Sequence, residues 1–424
     1  MKISFYTLGC KANQAETAAM EQLAAEAGWE VVPFGTPCDA AVVNTCTVTG
    51  TADKKSRAAL RHARTFTPCG TVGACGCFAQ REARRLADEG LADVAFGNRD
   101  HRAFLQAVMD RAAGASPLAC APEDVEFRPL PAAVLSGRTR ALLKVQDGCE
   151  RNCAYCIIPS VRGKNRCMSP EEAERQVRLA VADGAKEIVL TGIEVAAYRH
   201  GDTDFAALVG RVCAAAGESR VRLGSLEPRI VDEAFCGLAK YDNFCPHFHL
   251  SLQSGCDATL ARMRRQYNSA RYARAIADLR RAFPDACFTT DLVVGFPGET
   301  EEELEQSLCF AEQCRFLKVH VFPYSIRRGT PAATMPGQVP MREKAARSRA
   351  ALARLSAVSA QVMEGFCGRV LPVLCEDSPA PGILRGYTPN YLPVEFAAGE
   401  DLHNREIPVR LIAVEGDHLR GEQV

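Results

Sequence analysis

The chain has 424 residues, enough for two to four domains at roughly 100–200 residues each; 47% are hydrophobic and 24% charged, ordinary values for a folded globular protein. With 51 Lys and Arg against 51 Asp and Glu, the formal charge is zero, which argues against a globally basic nucleic-acid binder and leaves local patches open. No apolar run approaches the roughly 18 residues of a membrane span, and the opening MKISFYTLGCKANQ lacks the three regions of a secretion leader, so a cytoplasmic protein is expected.

Residues 1–113 alternate strand and helix signals. Lys2–Leu8, Trp29–Phe34, Ala40–Asn44, Thr71–Ala74 and Val94–Phe96 read as strands. Gln14–Ala27, Thr51–Arg64, Arg81–Glu89 and His101–Ala112 read as helices, the second with a basic face of Lys54, Lys55, Arg57, Arg61, His62 and Arg64. Such alternation with short loops implies an open parallel sheet. Residues 114–138, rich in Pro, Ala and Gly and carrying Glu123, Asp124 and Glu126, read as a linker. A second alternating run follows, with strands at Ala141–Gln146, Glu187–Thr191, Val221–Gly224, Phe248–Leu252, Phe288–Val293 and Val319–Phe322 and helices such as Pro170–Ala182 and Thr300–Gln313. Six strand–helix units without a reversal predict an open, partial parallel barrel. A helix over Arg342–Met363 leads to short β-rich runs at Arg369–Cys375, Ile383–Tyr387, Leu392–Phe396 and Ile407–Val414, a pattern that suits a small antiparallel barrel. The expected fold class is α/β, with domain boundaries at 1–135, 136–365 and 366–424.

The unusual count is 20 Cys. In a reducing compartment these are not a disulfide framework, and most can serve as small buried hydrophobes. Cys149, Cys153 and Cys156 differ: they form C-x3-C-x2-C in the loop after the first barrel strand, where barrel sites gather. Structural zinc closes with four ligands. Three closely spaced thiolates can hold three irons of a 4Fe–4S cluster and leave the fourth open. Spacing alone leaves a zinc loop and a cluster both standing. Polar residues also follow successive barrel strands: Gly192 and Glu194, Ser225 and Glu227, Gln253, and Asp291. A packed core does not need them there, whereas a polar ligand does.

The stretch QDGCERNCAYCIIPSVRGK resembles the cluster loop of radical S-adenosylmethionine (SAM) enzymes. TLGCKANQ, NTCTVT, GCFAQ, IVLTGIE, RLGSLEP, FHLSLQSGC, TDLVVGFPGETEEE, VFPYSIRRGTP and GYTPNY resemble, in order and over essentially the whole chain, one branch of them, the methylthiotransferases. The resemblance implies that Cys149, Cys153 and Cys156 hold the catalytic 4Fe–4S cluster. It also implies a second 4Fe–4S cluster on Cys10, Cys46 and Cys77. Each of these three follows a predicted strand, and ligands bind at the carboxyl ends of strands in an open parallel sheet. Cys75 competes with Cys77, which fits the family motif better.

For SAM the resemblance implies Gly192 and Glu194 near the methionine amine and Tyr155 near the adenine. Ser225, Glu227, Gln253 and Asp291 are then candidates for its carboxylate and ribose. Ser160, where an aromatic is common, and Cys167-Met168, where a more basic pair is common, depart from the family pattern without removing a cluster ligand.

The implied activity is methylthiolation of carbon 2 of a modified adenosine beside the anticodon of tRNA, with a flavodoxin-like or ferredoxin-like electron donor and no membrane partner. TLGCKANQ and GYTPNY look most like the branch acting on N6-threonylcarbamoyladenosine. The branch acting on N6-isopentenyladenosine and the one acting on an aspartate of ribosomal protein S12 are the alternatives. Arg262, Arg264, Arg265, Arg271, Arg274, Arg280 and Arg281, interleaved with Tyr267 and Tyr272, form a basic stretch of the kind that contacts RNA, and the terminal β-rich region resembles the family's RNA-binding appendage.

Overall fold

Six strands, all parallel, build the first sheet. They are β1 (Lys2–Thr7), β2 (Glu30–Val32), β3 (Ala40–Thr45), β4 (Thr71–Cys75), β5 (Val94–Phe96) and β6 (Leu118–Cys120), in the order β2-β1-β3-β4-β5-β6. The helices between them are α1 (Lys11–Glu26), α2 (Gly50–Phe66), α3 (Gly76–Asp88) and α4 (His101–Ala112). Central β3, AAVVNT, is buried along its whole length, as a strand covered on both faces should be. Local chemistry starts the helices: the Thr49 hydroxyl accepts from the Ala52 N–H, and the Asp100 carboxylate accepts from the Ala103 N–H.

This computed structural model describes residues 1–120, 126–134 and 139–424. The predicted linker contains structure. Leu118–Cys120 is the sixth strand of the first sheet, and Ala133–Val134 pairs antiparallel with Arg140–Lys144. Its Pro, Ala and Gly content masked two short pairings; Glu123 and Asp124 lie outside the described residues.

Two compact units emerge. The first comprises 1–180, 190–203 and 325–333; the second comprises 181–189, 204–324 and 334–424. In the second unit, Ser225–Leu226, His247–Leu250, Cys287–Val294 and Lys318–Pro323 form a parallel sheet in that order. Phe235, Phe244, Phe248, Phe283 and Phe288 pack together there. The helix Glu301–Gln313 opens with a capping box between Thr300 and Glu303.

The terminal region closes into a five-stranded barrel of Val370–Ala380, Ile383–Tyr387, Pro393–Ala397, Glu406–Glu415 and His418–Gln423. Four of its pairings are antiparallel, and one, Pro393–Ala397 with His418–Gln423, is parallel. Its core continues into Cys287, Leu317 and Met363.

Candidate active site

The first thiol triad is built by strand register. Thr7 of β1 stands opposite Asn44 of β3, which stands opposite Cys75 of β4. Cys10, Cys46 and Cys77 follow within two or three residues of that row. Cys10 caps α1, Cys46 leaves β3, and Cys77 lies in the first turn of α3. Two glycines permit the convergence. A Cβ on Gly9, at φ +106°, would lie 3.0 Å from the Cys46 Sγ; one on Gly76, at φ +89°, would lie 2.4 Å from the Thr45 carbonyl. Asn13 and Asn44 fasten the loops: Asn13 Nδ2 donates to the carbonyls of Leu8 (2.9 Å) and Thr45 (3.1 Å), and Asn44 Nδ2 donates to the Asn13 carbonyl (3.0 Å).

Cys77 accepts from Arg162 Nε at 3.3 Å and lies 3.6 Å from the Asn98 amide nitrogen. Burial pushes its thiol up against the opposing charge of Arg162, and that of Cys46 up to about 11; Cys10 adds to both, and Cys77 to Cys46. A site where buried Cys46 and Cys77 thiols are raised beside a third cysteine, and donors point at one sulfur, fits an iron–sulfur group with a cationic core, which binds thiolates and so removes their protons. Cys75, its competitor, is fully buried among Ile3, Phe5, Phe96 and Phe104.

The second triad occupies the loop that follows Gln146–Asp147. Cys149 accepts from the Arg151 N–H at 3.4 Å, and the Cys156 N–H bonds to the Cys153 carbonyl at 3.1 Å. Burial is again the main cause that lifts the Cys149 thiol to about 11, with Glu194 and Cys153 adding to it. Tyr155, in the turn before Cys156, is half-buried. Among the described residues no three Cys, His, Asp or Glu side chains stand as ligands of a single metal ion. Cluster thiolates each take a different iron and stand farther apart.

Gln146 organises the loop holding Gly192 and Glu194. Its Oε1 accepts from the N–H groups of Ile193 (2.9 Å) and Glu194 (2.7 Å), and its Nε2 donates to the Gly148 carbonyl (2.7 Å). A Cβ on Gly192 would lie 2.9 Å from the Gln146 carbonyl, so only glycine fits there. Glu194 is buried, with Arg151 3.8 Å away. These residues therefore share the first unit with both triads.

The remaining candidates belong to the second unit, along or just after neighbouring strands: Ser225 opens Ser225–Leu226, which Glu227 follows, Gln253 comes after His247–Leu250, and Asp291 lies inside Cys287–Val294. Ser225 pairs in register with His249, whose Nε2 is 3.3 Å from the Asp291 carboxylate. Gln253 adopts φ +64°, held by its N–H to the Asp291 carbonyl and by the Val293 N–H to its own carbonyl, both 2.8 Å. The Glu227 carboxylate accepts from Arg265 (2.5 Å) and Arg229 (3.1 Å).

The Arg-rich stretch does not have the character its sequence suggests. Tyr267 and Tyr272 are buried, their hydroxyls donating to the carbonyls of Leu252 and Leu250, so neither presents a ring for base stacking. Arg262 pairs with Glu303 and Arg265 with Glu227, while Arg271 and Arg280 reach the carbonyls of Val231 and Cys314. Tyr272 lies on the core face of the helix Ser269–Ala282 and Tyr267 in the loop before it, both buried, which charge counting overlooks. On α2, Arg57 pairs with Glu89 and Arg64 with Asp93. In GYTPNY, the Tyr391 ring stacks on Tyr387 and His247, with Arg222 over it at 4.7 Å.

Sequence reasoning passed over a buried polar network. Arg162, fully buried, donates through Nη1 to Glu16 (2.5 Å) and Asp147 (3.1 Å) and through Nη2 to Asn13 (2.7 Å). Lys144 joins Glu16 (2.6 Å) to Asp147 (2.8 Å), and Arg166 adds a third cation at 3.1 Å from Asp147. Lys144 and Gln146, polar residues inside the apolar run ALLKVQ, were the available signal, because buried polar groups require partners.

Residues 143–311 match the Radical SAM superfamily, and residues 2–97 match the family described as Uncharacterized protein family UPF0004. The chain is 36% identical over 433 residues to the threonylcarbamoyladenosine tRNA methylthiotransferase MtaB of Bacillus subtilis, covering 100% of this chain and 96% of the relative. The chain belongs to the radical SAM tRNA methylthiotransferases. Another relative of this methylthiotransferase is the tRNA-2-methylthio-N(6)-dimethylallyladenosine synthase of Syntrophotalea carbinolica, 33% identical over 440 residues, with 99% of this chain and 100% of the relative covered.

The fold is shared with the radical SAM methyltransferase TsrM of Kitasatospora setae, at a TM-score of 0.56 and 13% identity over 78% of this chain and 75% of that one. The expected α/β class, with its N-terminal parallel sheet, partial radical SAM barrel and closed C-terminal barrel, is therefore the observed one. Family membership brings SAM and two 4Fe–4S clusters as cofactors. No helix among the described residues is long and apolar enough to cross a membrane.

Proposed function

We propose that this methylthiotransferase converts N6-threonylcarbamoyladenosine beside the anticodon of tRNA to its 2-methylthio derivative. The observation that carries the reading is the full-length similarity to the Bacillus subtilis enzyme of that name. The similarity to the dimethylallyladenosine synthase keeps N6-isopentenyladenosine as the second reading.

Carbon 2 of the base is an unactivated aromatic position that acid–base groups cannot open, so a cofactor carries the hard step. Cys149, Cys153 and Cys156 would hold the cluster that supplies the electron for SAM cleavage, and Cys10, Cys46 and Cys77 the cluster that presents the sulfur. The chain's own residues bind and orient. Gln146 fixes the backbone of Ile193 and Glu194; on that frame Gly192 would leave room for, and Glu194 would face, the methionine amine, and Tyr155 would lie against the adenine. Ser225, Glu227, Gln253 and Asp291 would serve the carboxylate and ribose. Residues 1–135 would hold the sulfur-presenting triad, 136–365 the SAM site, and 366–424 an RNA-binding surface. A cytoplasmic location and a flavodoxin-like or ferredoxin-like donor complete the reading.

Nucleoside analysis of tRNA from a deletion strain tests it. The methylthio form of the threonylcarbamoyl nucleoside should vanish while its precursor accumulates. Loss of the isopentenyl derivative instead would transfer the assignment to the second reading.

A further inference from the structure

One arginine belongs to the surroundings of both triads. Arg162 ends the short helix Ile158–Arg162, which follows the Cys149–Cys156 loop, and its Nε donates to the Sγ of Cys77, 85 residues earlier. Its two terminal nitrogens are occupied by Glu16, Asn13 and Asp147. Of these, Asp147 stands two residues before Cys149, and Asn13 three residues after Cys10. The guanidinium therefore cannot swing away from the sulfur without breaking several buried, charge-assisted hydrogen bonds. Its planar fork serves several acceptors at fixed angles, which a lysine ammonium cannot reproduce.

We propose that Arg162 is a positioning residue for the Cys10/Cys46/Cys77 group: held by Glu16, Asn13 and Asp147, it directs its Nε–H at the Cys77 sulfur and stabilises the reduced, more negative state of the cluster bound there. A hydrogen bond from a buried cation withdraws electron density from a ligating sulfur. Hydrogen bonds to sulfur and local net charge are among the levers that set cluster potentials. Asn98, 3.6 Å from the same sulfur, adds a weaker, neutral donor. Because the arginine is anchored beside the first cysteine of the barrel loop, any displacement of that loop changes the donor set at Cys77. This proposal rests on the assignment of Cys10, Cys46 and Cys77 as cluster ligands.

The test uses the full chain carrying Cys149→Ala, Cys153→Ala and Cys156→Ala, reconstituted anaerobically so that one cluster remains, with the midpoint potential read by EPR-monitored redox titration. Removing Arg162 alone leaves the buried Glu16 and Asp147 carboxylates one cation short, with Lys144 shared between them, so the first variant is the pair Arg162→Gln with Glu16→Gln, which keeps the site closer to neutral. The second is Asn98→Val, which leaves the ion network intact. The expected result is a shift to lower potential in both, larger for the paired variant, with Arg162→Lys recovering only part of it. Potentials equal to the parent's in iron-replete Arg162→Gln/Glu16→Gln and Asn98→Val chains would overturn the proposal and leave Arg162 a structural residue. A parent with negligible iron, in place of about four per chain, would overturn the ligand assignment itself and the proposal with it.

Discussion

Glu16 Oε1 lies 2.6 Å from the Nζ of Lys144, and both side chains are buried although 128 residues separate them in sequence. The contact ties the first helix of the parallel sheet to the strand that leads into the Cys149–Cys156 loop. Burial alone would push the Glu16 carboxyl up. The guanidinium of Arg162 and the ammonium of Lys144 outweigh it and hold the group well below the ordinary carboxylate range.

Glu16→Gln is expected to lower the free energy of unfolding by about 3–5 kcal/mol, because it leaves Asp147 as the sole carboxylate shared by the buried Arg162 and Lys144; anaerobic urea denaturation measures it. The sign of the pH dependence follows from the depressed folded value. The stability Glu16 confers is fully present above the ordinary value of 4.5 and is lost as pH falls below it toward the folded value. The Gln variant should therefore approach the parent's stability in acid, and an equal gap at all pH values would contradict the account.

Cys46→Ala should lose about four irons, one cluster's worth. It should still form 5′-deoxyadenosine reductively, since Cys149, Cys153 and Cys156 are intact, and should make no methylthio nucleoside. All three readouts can be taken on one reconstituted sample. Full iron with normal product would remove Cys46 from the site.

Cys75 and Cys77 are separated by one residue and by environment. Cys75→Ala trims a side chain packed among Phe96 and Phe104 and should cost about 1 kcal/mol with iron content unchanged. Cys77→Ala should lose about four irons per chain. The reverse pattern would exchange their roles.

Gln146→Leu leaves the N–H groups of Ile193 and Glu194 without their acceptor. At about 1–3 kcal/mol for an unsatisfied buried group, SAM affinity should fall by roughly tenfold or more, with both clusters assembled. Calorimetric titration of the holoenzyme measures this; unchanged affinity would show that the loop does not serve SAM.

Much of this was legible in the sequence because it depends on local period. Glu187–Thr191 and Ile383–Tyr387 coincide with their predicted bounds: the first is a run of Ile, Val, Leu and Thr closed by Gly192, and the second begins and ends on Ile383 and Tyr387 between Gly382 and Thr388. The strand ends carrying Cys10, Cys46 and Cys77 were likewise readable. The short pairings at Leu118–Cys120 and Ala133–Val134 were not, because two or three residues carry no period. Nor was the partnership of Arg162 with Cys77. In sequence Arg162 is one basic residue before a glycine; only the fold closes the 85-residue separation. Tyr267 and Tyr272 mark the opposite error, where composition suggested a stacking surface and the tyrosines are buried in the fold.

Gln253 holds a left-handed backbone, at φ +64°, while both its N–H and its carbonyl are tied to the strand carrying Asp291. For a residue with a Cβ that conformation costs about 1–2 kcal/mol, a cost glycine avoids. The position thus trades robustness for a side chain beside the strand that carries Asp291, where the carboxylate and ribose of SAM are proposed to lie. Laboratory evolution for heat tolerance alone would drift toward glycine at 253 and yield a hardier protein; under the SAM contact proposed for Gln253 it would also weaken cofactor binding, so selections on this enzyme must reward turnover as well as survival.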